Sequence, residues 1–230
     1  MRIAVIPARG GSKRIPGKNI RKFAGRPIIA WPIEEALKSE LFDSVIVSTD
    51  DEQIADVALS FGATVPFVRP SNLADDFSDT KAVVRHAISV LGLDRDFASQ
   101  ICCIYPTSVF VTPEHLEHGL KLLNSKECYF TLSITGVDAR LLRSFTQDSD
   151  GRLKMIFPEN YNKRTQDLTP LFCDAAQFYW GSVSAWQSAE PFFSENSLGV
   201  VIDSSRVVDI DTEFDWSSAE IIFQSIKRGK

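Results

Sequence analysis

A short apolar run, Ile3-Ala-Val-Ile-Pro7, empties directly into a loop of three glycines and four cations, Arg9-Gly10-Gly11-Ser12-Lys13-Arg14 through Gly17-Lys18-Asn19. An uninterrupted apolar run of this length reads as a strand buried on both faces, and the following residues keep an alternation of strands with amphipathic helices. The spacing predicts a strand over 2–7 and a helix over 27–39, with Pro27 and Pro32 confined to its first turns. Residues 44–48 read as a second strand. Asp50 can cap a helix that carries Ile54, Val57, Ala58 and Phe61 at helical spacing until Gly62 stops it. Residues 64–68 read as a third strand, followed by a helix capped by Asp79 with Val83, Val84, Ala87, Ile88 and Leu91 on one face. A fourth strand over 101–105, a helix start at Thr112-Pro113 and a strand over 129–135 complete an α/β pattern. The fold class this predicts is α/β: a Rossmann-like, mostly parallel sheet with helices on both faces.

The alternation breaks between about 140 and 190. Residues 145–158 read as a hairpin turning at Asp148-Ser-Asp-Gly151, and a polar stretch follows over 159–169. We read 1–230 as a single domain carrying an insertion at about 140–190. Phe172, Phe178, Tyr179, Trp180 and Trp186 give that insertion more aromatic surface than a small appendage can bury, so a partner subunit is expected to cover it. Residues 206–211 return as a strand, and a last helix turns Trp216, Ala219, Phe223 and Ile226 inward.

Charge is divided as sharply as hydropathy. The first 33 residues hold eight Lys or Arg and no Asp or Glu, whereas the whole chain carries net charge −5. Beyond them, 17 basic residues face 30 acidic ones, which leaves no basic face for a nucleic-acid backbone and makes nucleic acid an unexpected partner. The opening apolar run is too short for a leader or a membrane span, so a cytoplasmic chain without a membrane partner is expected. Cys102, Cys103, Cys128 and Cys173 form no C-x-x-C pair and read as reduced, mostly buried thiols.

Seven cations between residues 9 and 26 with no acid nearby to pair them suit a polyphosphate better than a solvated turn. Two glycines let successive backbone N–H groups curl around an anion, with Ser12 adding a hydroxyl. Gly17-Lys18 is followed by Asn19, and Ser12 stands five residues before Gly17, so the kinase-type phosphate loop is absent; Ser12 also breaks any dinucleotide fingerprint. Near the other end, Asp209 and Asp211 stand at i and i+2, where both carboxylates can reach one hard cation. Asp211 could alternatively cap the last helix and Asp209 lie solvated at a strand end. A polyphosphate held by the first loop favours magnesium, which completes its shell with phosphate oxygens and water.

With these two segments the chain resembles the cytidylyltransferases that activate nonulosonic, sialic-type sugars. Those enzymes show A-R-x-x-S-K-x-x-x-x-K-N after a strand and a late D-I-D-T-x-x-D, here Ala8-Arg9-Gly10-Gly11-Ser12-Lys13 through Lys18-Asn19 and Asp209-Ile210-Asp211-Thr212-Glu213-Phe214-Asp215. Val47-Ser48-Thr49-Asp50, Arg69-Pro70 with Leu73-Ala74 and Asp76, and Pro106-Thr107-Ser108 fall in family order, so the likeness spans nearly the whole chain. The resemblance implies a nucleotide-diphospho-sugar transferase type of fold and a magnesium-assisted transfer of CMP from CTP to the anomeric hydroxyl of a nine-carbon keto sugar acid. It implies that Ala8, Arg9, Gly10, Ser12, Lys18 and Asn19 hold the triphosphate and that Arg69, Ala74, Asp76, Ser78 and Thr80 enclose cytosine and ribose. Catalysis would fall to Arg9, Lys18, Asp209 and Asp211, the last two also holding the metal.

Within the family the chain looks more like the pseudaminic acid branch. Tyr105 stands where sialate enzymes usually present Gln, and Asp174-Ala-Ala-Gln177-Phe178-Tyr179-Trp180-Gly181 is similar to that branch's D-A-G-Q-F-Y-W-G. Tyr105, Thr107, Ser108, Arg164, Gln166, Gln177 and Tyr179 are the candidate sugar contacts, although Thr107 and Ser108 also fit a plain turn after Pro106. N-acetylneuraminate or legionaminate loading is the near alternative. Kdo-loading relatives carry a Y-G-S-x-R-L-P-G-K loop and fit less well. A catalytically silent nucleotide-binding module is the alternative of another class. Family members are commonly homodimers that exchange a segment across their sites, which makes the insertion a dimerisation and sugar-contact element. His86, His115 and His118 belong to no metal set and are expected to pack.

Overall fold

A computed structural model describes residues 1–75 and 78–228. The strands are β1 (Arg2–Pro7), β2 (Lys22–Phe23), β3 (Arg26–Pro27), β4 (Ser44–Ser48), β5 (Gln100–Ile104), β6 (Phe130–Val137), β7 (Phe145–Gln147), β8 (Leu153–Met155), β9 (Leu171–Ser182) and β10 (Ser197–Ile202). The helices are α1 (Ala30–Lys38), α2 (Glu52–Ser60), α3 (Thr80–Val90), α4 (Pro113–Ser125), α5 (Val183–Gln187) and α6 (Glu213–Arg228).

Six strands form one sheet in the order β10-β6-β9-β5-β1-β4, parallel except for β9. Alternation along β1 builds both faces. Ala4 and Ile6 join a core with Ile33 of α1, Ile54 of α2 and Leu116 of α4, while Ile3 and Val5 join Val84 of α3 and Trp186 of α5. A third cluster packs α6, through Trp216, Ala219 and Phe223, against Ile15, Phe23 and Ile28. No helix among the described residues is long and apolar enough to cross a membrane.

Several elements depart from the sequence reading. Pro27 lies in a two-residue hairpin strand, and α1 starts at Ala30 because Ile28 and Ile29 are drawn into the core ahead of it. Asp51 rather than Asp50 caps α2, accepting the Ile54 N–H at 3.0 Å. Residues 64–68 follow β4 through isolated bridges at Thr64 and Val68 without forming a strand. Residues 206–211 also form no strand: Arg206 ends the short 3-10 turn Ser204–Arg206 and 207–211 are irregular, so Asp209 and Asp211 lie on an irregular segment. Asp79 and Thr112 cap α3 and α4 as expected.

The largest correction concerns 140–190. β9, an antiparallel strand read as part of the insertion, sits between β5 and β6 at the centre of the sheet. Phe178, Tyr179, Trp180 and Trp186 are buried by the chain's own core, so they supply no argument for a partner. The excursion from the sheet is shorter, running from Asp138 to Pro170, and it contains the expected hairpin, β7–β8, with Gly151 at positive φ in its turn. β10, an edge strand parallel to β6, was also missed. All four cysteines are free. Cys102 and Cys103 are buried, but Cys128 is half-buried and Cys173 exposed.

Candidate active site

β1 runs between β4 and β5, and the chain passes from one side of it to the other, so a crevice opens beyond the carboxyl ends of these strands. A cleft of about 680 Å³ occupies that place. Arg9, Ser12, Lys13, Arg14, Lys18 and Asn19 line it from the loop after β1, and Asp209 and Asp211 from the segment before α6. Arg69, Asp75, Ser78, Thr80, Tyr105 and Thr107 line the rest, Asp75 falling in the 74–80 stretch expected to enclose cytosine and ribose, together with Leu73, Val83 and Ala176, which sequence reasoning did not select.

The first loop is shaped by its own contacts. Asn19 Nδ2 donates to the Arg9 carbonyl at 2.9 Å, tying the loop's end to its beginning, while Asn19 Oδ1 is buried without a hydrogen-bond partner. Gly10 is required by close approach: a Cβ there would lie 2.6 Å from Asp51 Oδ2, whereas one at Gly11 would meet open space. The expected nest of amides is not formed in this conformation. The Gly10 N–H donates to Asp50 Oδ1 at 3.0 Å and the Ser12 N–H to the Gly10 carbonyl at 2.9 Å, so side-chain cations give the loop its attraction for anions.

The acidic segment is positioned by a capping box. Thr212 Oγ1 accepts the Asp215 N–H at 3.2 Å, while Asp215 Oδ2 accepts the Thr212 N–H at 2.8 Å and the Asp211 N–H at 3.2 Å. Thr212 and Asp215 thus perform the capping, and the Asp211 carboxylate is left to face the cleft. It accepts from Arg14 Nη1 at 2.7 Å and lies 3.4 Å from Lys18 Nζ, which also donates to the Ile210 carbonyl at 2.7 Å. The two ends of the chain, some 190 residues apart, meet at one place.

Spatial pairing also corrects the view that the early cations lack acids. Arg21 pairs with Glu213 at 2.5 Å and stacks over Trp216, and Arg26 pairs with Glu34 over Trp31. These contacts hold α6 and α1 in place, outside the cleft.

Asp209 opens onto the cleft, yet the surrounding walls raise its carboxyl above the ordinary carboxylate range, and the neighbouring Asp211 charge raises it further. A divalent cation would relieve that strain. The described residues contain no cluster of three or more metal-ligating side chains; Asp209 and Asp211 offer two hard oxygen donors, which would fit magnesium with its other ligands supplied by phosphate and water.

Arg69 is buried and bonds inward, Nε to Ser48 Oγ at 3.1 Å and Nη2 to the Ser48 carbonyl. Burial lowers its guanidinium to about 10, so it stays charged at neutral pH. Other expected contacts lie behind the wall or away from it. Ala8 is core, and Ala74 ends the short turn Ser71–Leu73. Asp76 lies outside the described residues. Ser108 Oγ donates to the Gln177 carbonyl at 2.8 Å, and Gln177 Nε2 to the Arg206 carbonyl at 3.0 Å, so both buried side chains brace the wall instead of lining it. Tyr179 is buried behind Tyr105. Arg164 and Gln166 sit exposed on the excursion, with Arg164 Nε paired to Asp167 at 2.8 Å, and neither lines this cleft. His86 packs edge-on against Phe67, His115 is half-buried on α4, and His118 is exposed on that helix.

Comparison with known proteins identifies the family. A family model described as cytidylyltransferase matches residues 3–144. A pseudaminic acid cytidylyltransferase of Campylobacter jejuni is 38% identical over 222 residues, covering 96% of each chain. A CMP-N,N'-diacetyllegionaminic acid synthase of Legionella pneumophila is 36% identical over 232 residues, again covering 96% of each. A solved CMP:2-keto-3-deoxy-manno-octonic acid synthetase in complex with CTP shares the fold, with TM-score 0.72 over 100% of this chain and 99% of its own at 15% identity. A loop of cations, a carboxylate pair brought to it from the far end of the sequence, and relatives matched along almost their full length make this chain a member of the cytidylyltransferase family.

Proposed function

We propose that the protein transfers CMP from CTP to the anomeric hydroxyl of pseudaminic acid, giving CMP-pseudaminate and pyrophosphate. The observation that carries this reading is the meeting of Lys18 and Arg14 with Asp211 in one cleft, in a chain 38% identical to a pseudaminic acid cytidylyltransferase over 96% of its length. N,N'-diacetyllegionaminic acid is the second reading, favoured by the 36% identity to its CMP-synthase.

Attack at the α-phosphorus needs an in-line hydroxyl and a neutralised leaving group, so positioning and electrostatics carry most of the rate. Arg9, Ser12, Lys18 and Asn19 hold the triphosphate, and Arg9 and Lys18 stabilise the departing pyrophosphate. Asp209 and Asp211 hold magnesium, which when bound supplies positive charge to the phosphate oxygens. Nucleotide binding exchanges the Arg14 and Lys18 contacts to Asp211 for contacts to phosphate. Ser78, Thr80 and Arg69 shape the nucleoside end. Tyr105 and Thr107 receive the sugar acid.

Arg164 and Gln166 extend from the excursion toward the site of a second copy in a homodimer. Exposed Leu141, Phe145, Leu153, Tyr161 and Phe172, on the excursion and at the adjoining start of β9, support that assembly. Because CTP is the co-substrate, the reaction belongs in the cytoplasm.

The test is incubation with CTP and Mg²⁺ and, separately, pseudaminic, legionaminic and N-acetylneuraminic acids, with products identified by mass. CMP-pseudaminate as the main product is expected. Preference for another acid would move the assignment to that sugar, and absence of any CMP-linked product or pyrophosphate would reduce the protein to a nucleotide-binding module.

A further inference from the structure

The segment that carries Asp209 and Asp211 forms no strand, yet both carboxylates reach one cleft. Its apolar side chains fix part of the path. Val207 packs against the cluster that holds Ala4 and Ile6, while Val208 and the buried Ile210 pack against the cluster of α6, which leaves Asp209 and Asp211 to the cleft. Hydrogen bonds fix the two ends. Downstream, Lys18 Nζ donates to the Ile210 carbonyl at 2.7 Å and Asp215 Oδ2 accepts the Asp211 N–H at 3.2 Å. Upstream, Gln177 Nε2 donates to the Arg206 carbonyl at 3.0 Å.

A bulge in β9 makes Gln177 a firm post for that contact. Asp174 pairs with Ile134 of β6 and Tyr179 with Leu132, so five steps along β9 are taken up against two along β6. Inside the bulge the Gln177 and Phe178 N–H groups both donate to Ser133 Oγ, at 3.0 and 3.1 Å. The Gln177 carbonyl accepts from the Tyr105 N–H at 3.0 Å and from Ser108 Oγ at 2.8 Å. The backbone of this residue is thus held from β6 and from the end of β5. Its buried side chain spans from the sheet to the acidic segment, while the neighbouring Ala176, at φ 48°, faces the cleft.

We propose that Gln177 is a positioning residue for the metal: acting through the Arg206 carbonyl, it sets the upstream end of the segment and so the placement of Asp209 and Asp211 toward one divalent ion. This rests on the proposed holding of magnesium by that pair. A residue one contact behind metal ligands commonly governs affinity by about 10- to 100-fold, because it decides where the ligands stand. Gln177 therefore serves the metal instead of the sugar acid.

Gln177→Met keeps the length of the side chain and loses the donor. Binding of CTP to the whole protein is measured by calorimetry, once in EDTA and once in excess Mn²⁺. The variant is expected to match the wild type within about twofold in EDTA and to bind about tenfold more weakly in Mn²⁺. Thr135→Val removes a comparable buried bond, from Thr135 Oγ1 to the Ile202 carbonyl at 3.0 Å, and should lower stability in urea while leaving both constants within about twofold. Gln177→Ala, expected to give the same split, replaces Gln177→Met should that variant fail to fold. Equal losses with and without Mn²⁺, no loss in either, or a raised KM for the sugar acid with the Mn²⁺ constant unchanged would overturn the proposal. A wild-type protein that binds CTP no more tightly in Mn²⁺ than in EDTA is read apart from the variants, and would remove the metal from the functional reading and this proposal with it.

Discussion

The sheet that builds the cleft and the excursion from Asp138 to Pro170 differ in what their side chains can bury. Strands β1, β4 and β5 divide their residues between two closed clusters, and Trp180 and Phe178 of β9 are fully enclosed between β5 and β6. On the excursion, Leu141, Phe145, Leu153 and Tyr161 stay exposed around a hairpin of two three-residue strands. The first region is held by its own packing and can fix charged groups in place. The second carries apolar surface that only another surface would cover.

The largest effect expected from breaking this contrast is Trp180→Ala. Trp180 stacks on Phe42 at 5.0 Å and donates Nε1–H to the Leu116 carbonyl at 3.1 Å, so its removal should cost about 3–5 kcal/mol in urea unfolding. Next comes Asp211→Ala, which removes a cleft carboxylate while Thr212 and Asp215 keep the helix capped. Turnover measured by pyrophosphate release should fall by about 10²-fold or more with the circular dichroism spectrum unchanged. Normal synthesis at saturating Mg²⁺ would remove Asp211 from the mechanism.

A smaller effect concerns pH. Burial lowers His86, with the Arg69 charge adding to it, and lowers His115 beside Arg206, against a small opposing influence of Glu114. Unfolded, both take protons near the ordinary 6.5, so on acidification below that value the unfolded chain binds more protons and stability falls until the depressed folded values are reached. The melting temperature should drop between pH 7 and 5, and a His86→Gln/His115→Gln variant should flatten that slope. The excursion has no histidine and should contribute nothing to it. The smallest effect is Leu153→Ser, expected to change unfolding of the single chain by less than about 0.5 kcal/mol while weakening the proposed self-association in light scattering. Unfolding losses comparable to Trp180→Ala would erase the distinction between the two regions.

The same division governs what the sequence revealed. β1, β4 and the caps Asp79 and Thr112 are legible because strand burial and cap chemistry are local. β9 is not: Phe178, Tyr179 and Trp180 lie beyond a polar excursion, and only the closing of β5 and β6 around them shows that they are core. Asp50 and Asp51 are equivalent as caps until the Gly10 N–H claims one of them. The Arg21–Glu213 pair and the Arg14–Asp211 contact join residues more than 190 positions apart, beyond any local pattern. Lys18, Asn19, Asp209 and Asp211, singled out by their motifs, nonetheless all line the one cleft, because glycine-rich basic loops and paired carboxylates are local patterns.

In the proposed reaction the cations after β1 and the carboxylates before α6 serve one triphosphate. Crystals of the protein with CTP and Mn²⁺ would test it through the anomalous difference map. A manganese peak is expected at the Asp209 and Asp211 carboxylates, in contact with phosphate oxygens whose other side meets Lys18 and Arg9. A triphosphate seated on the first loop with its manganese bound elsewhere would contradict it.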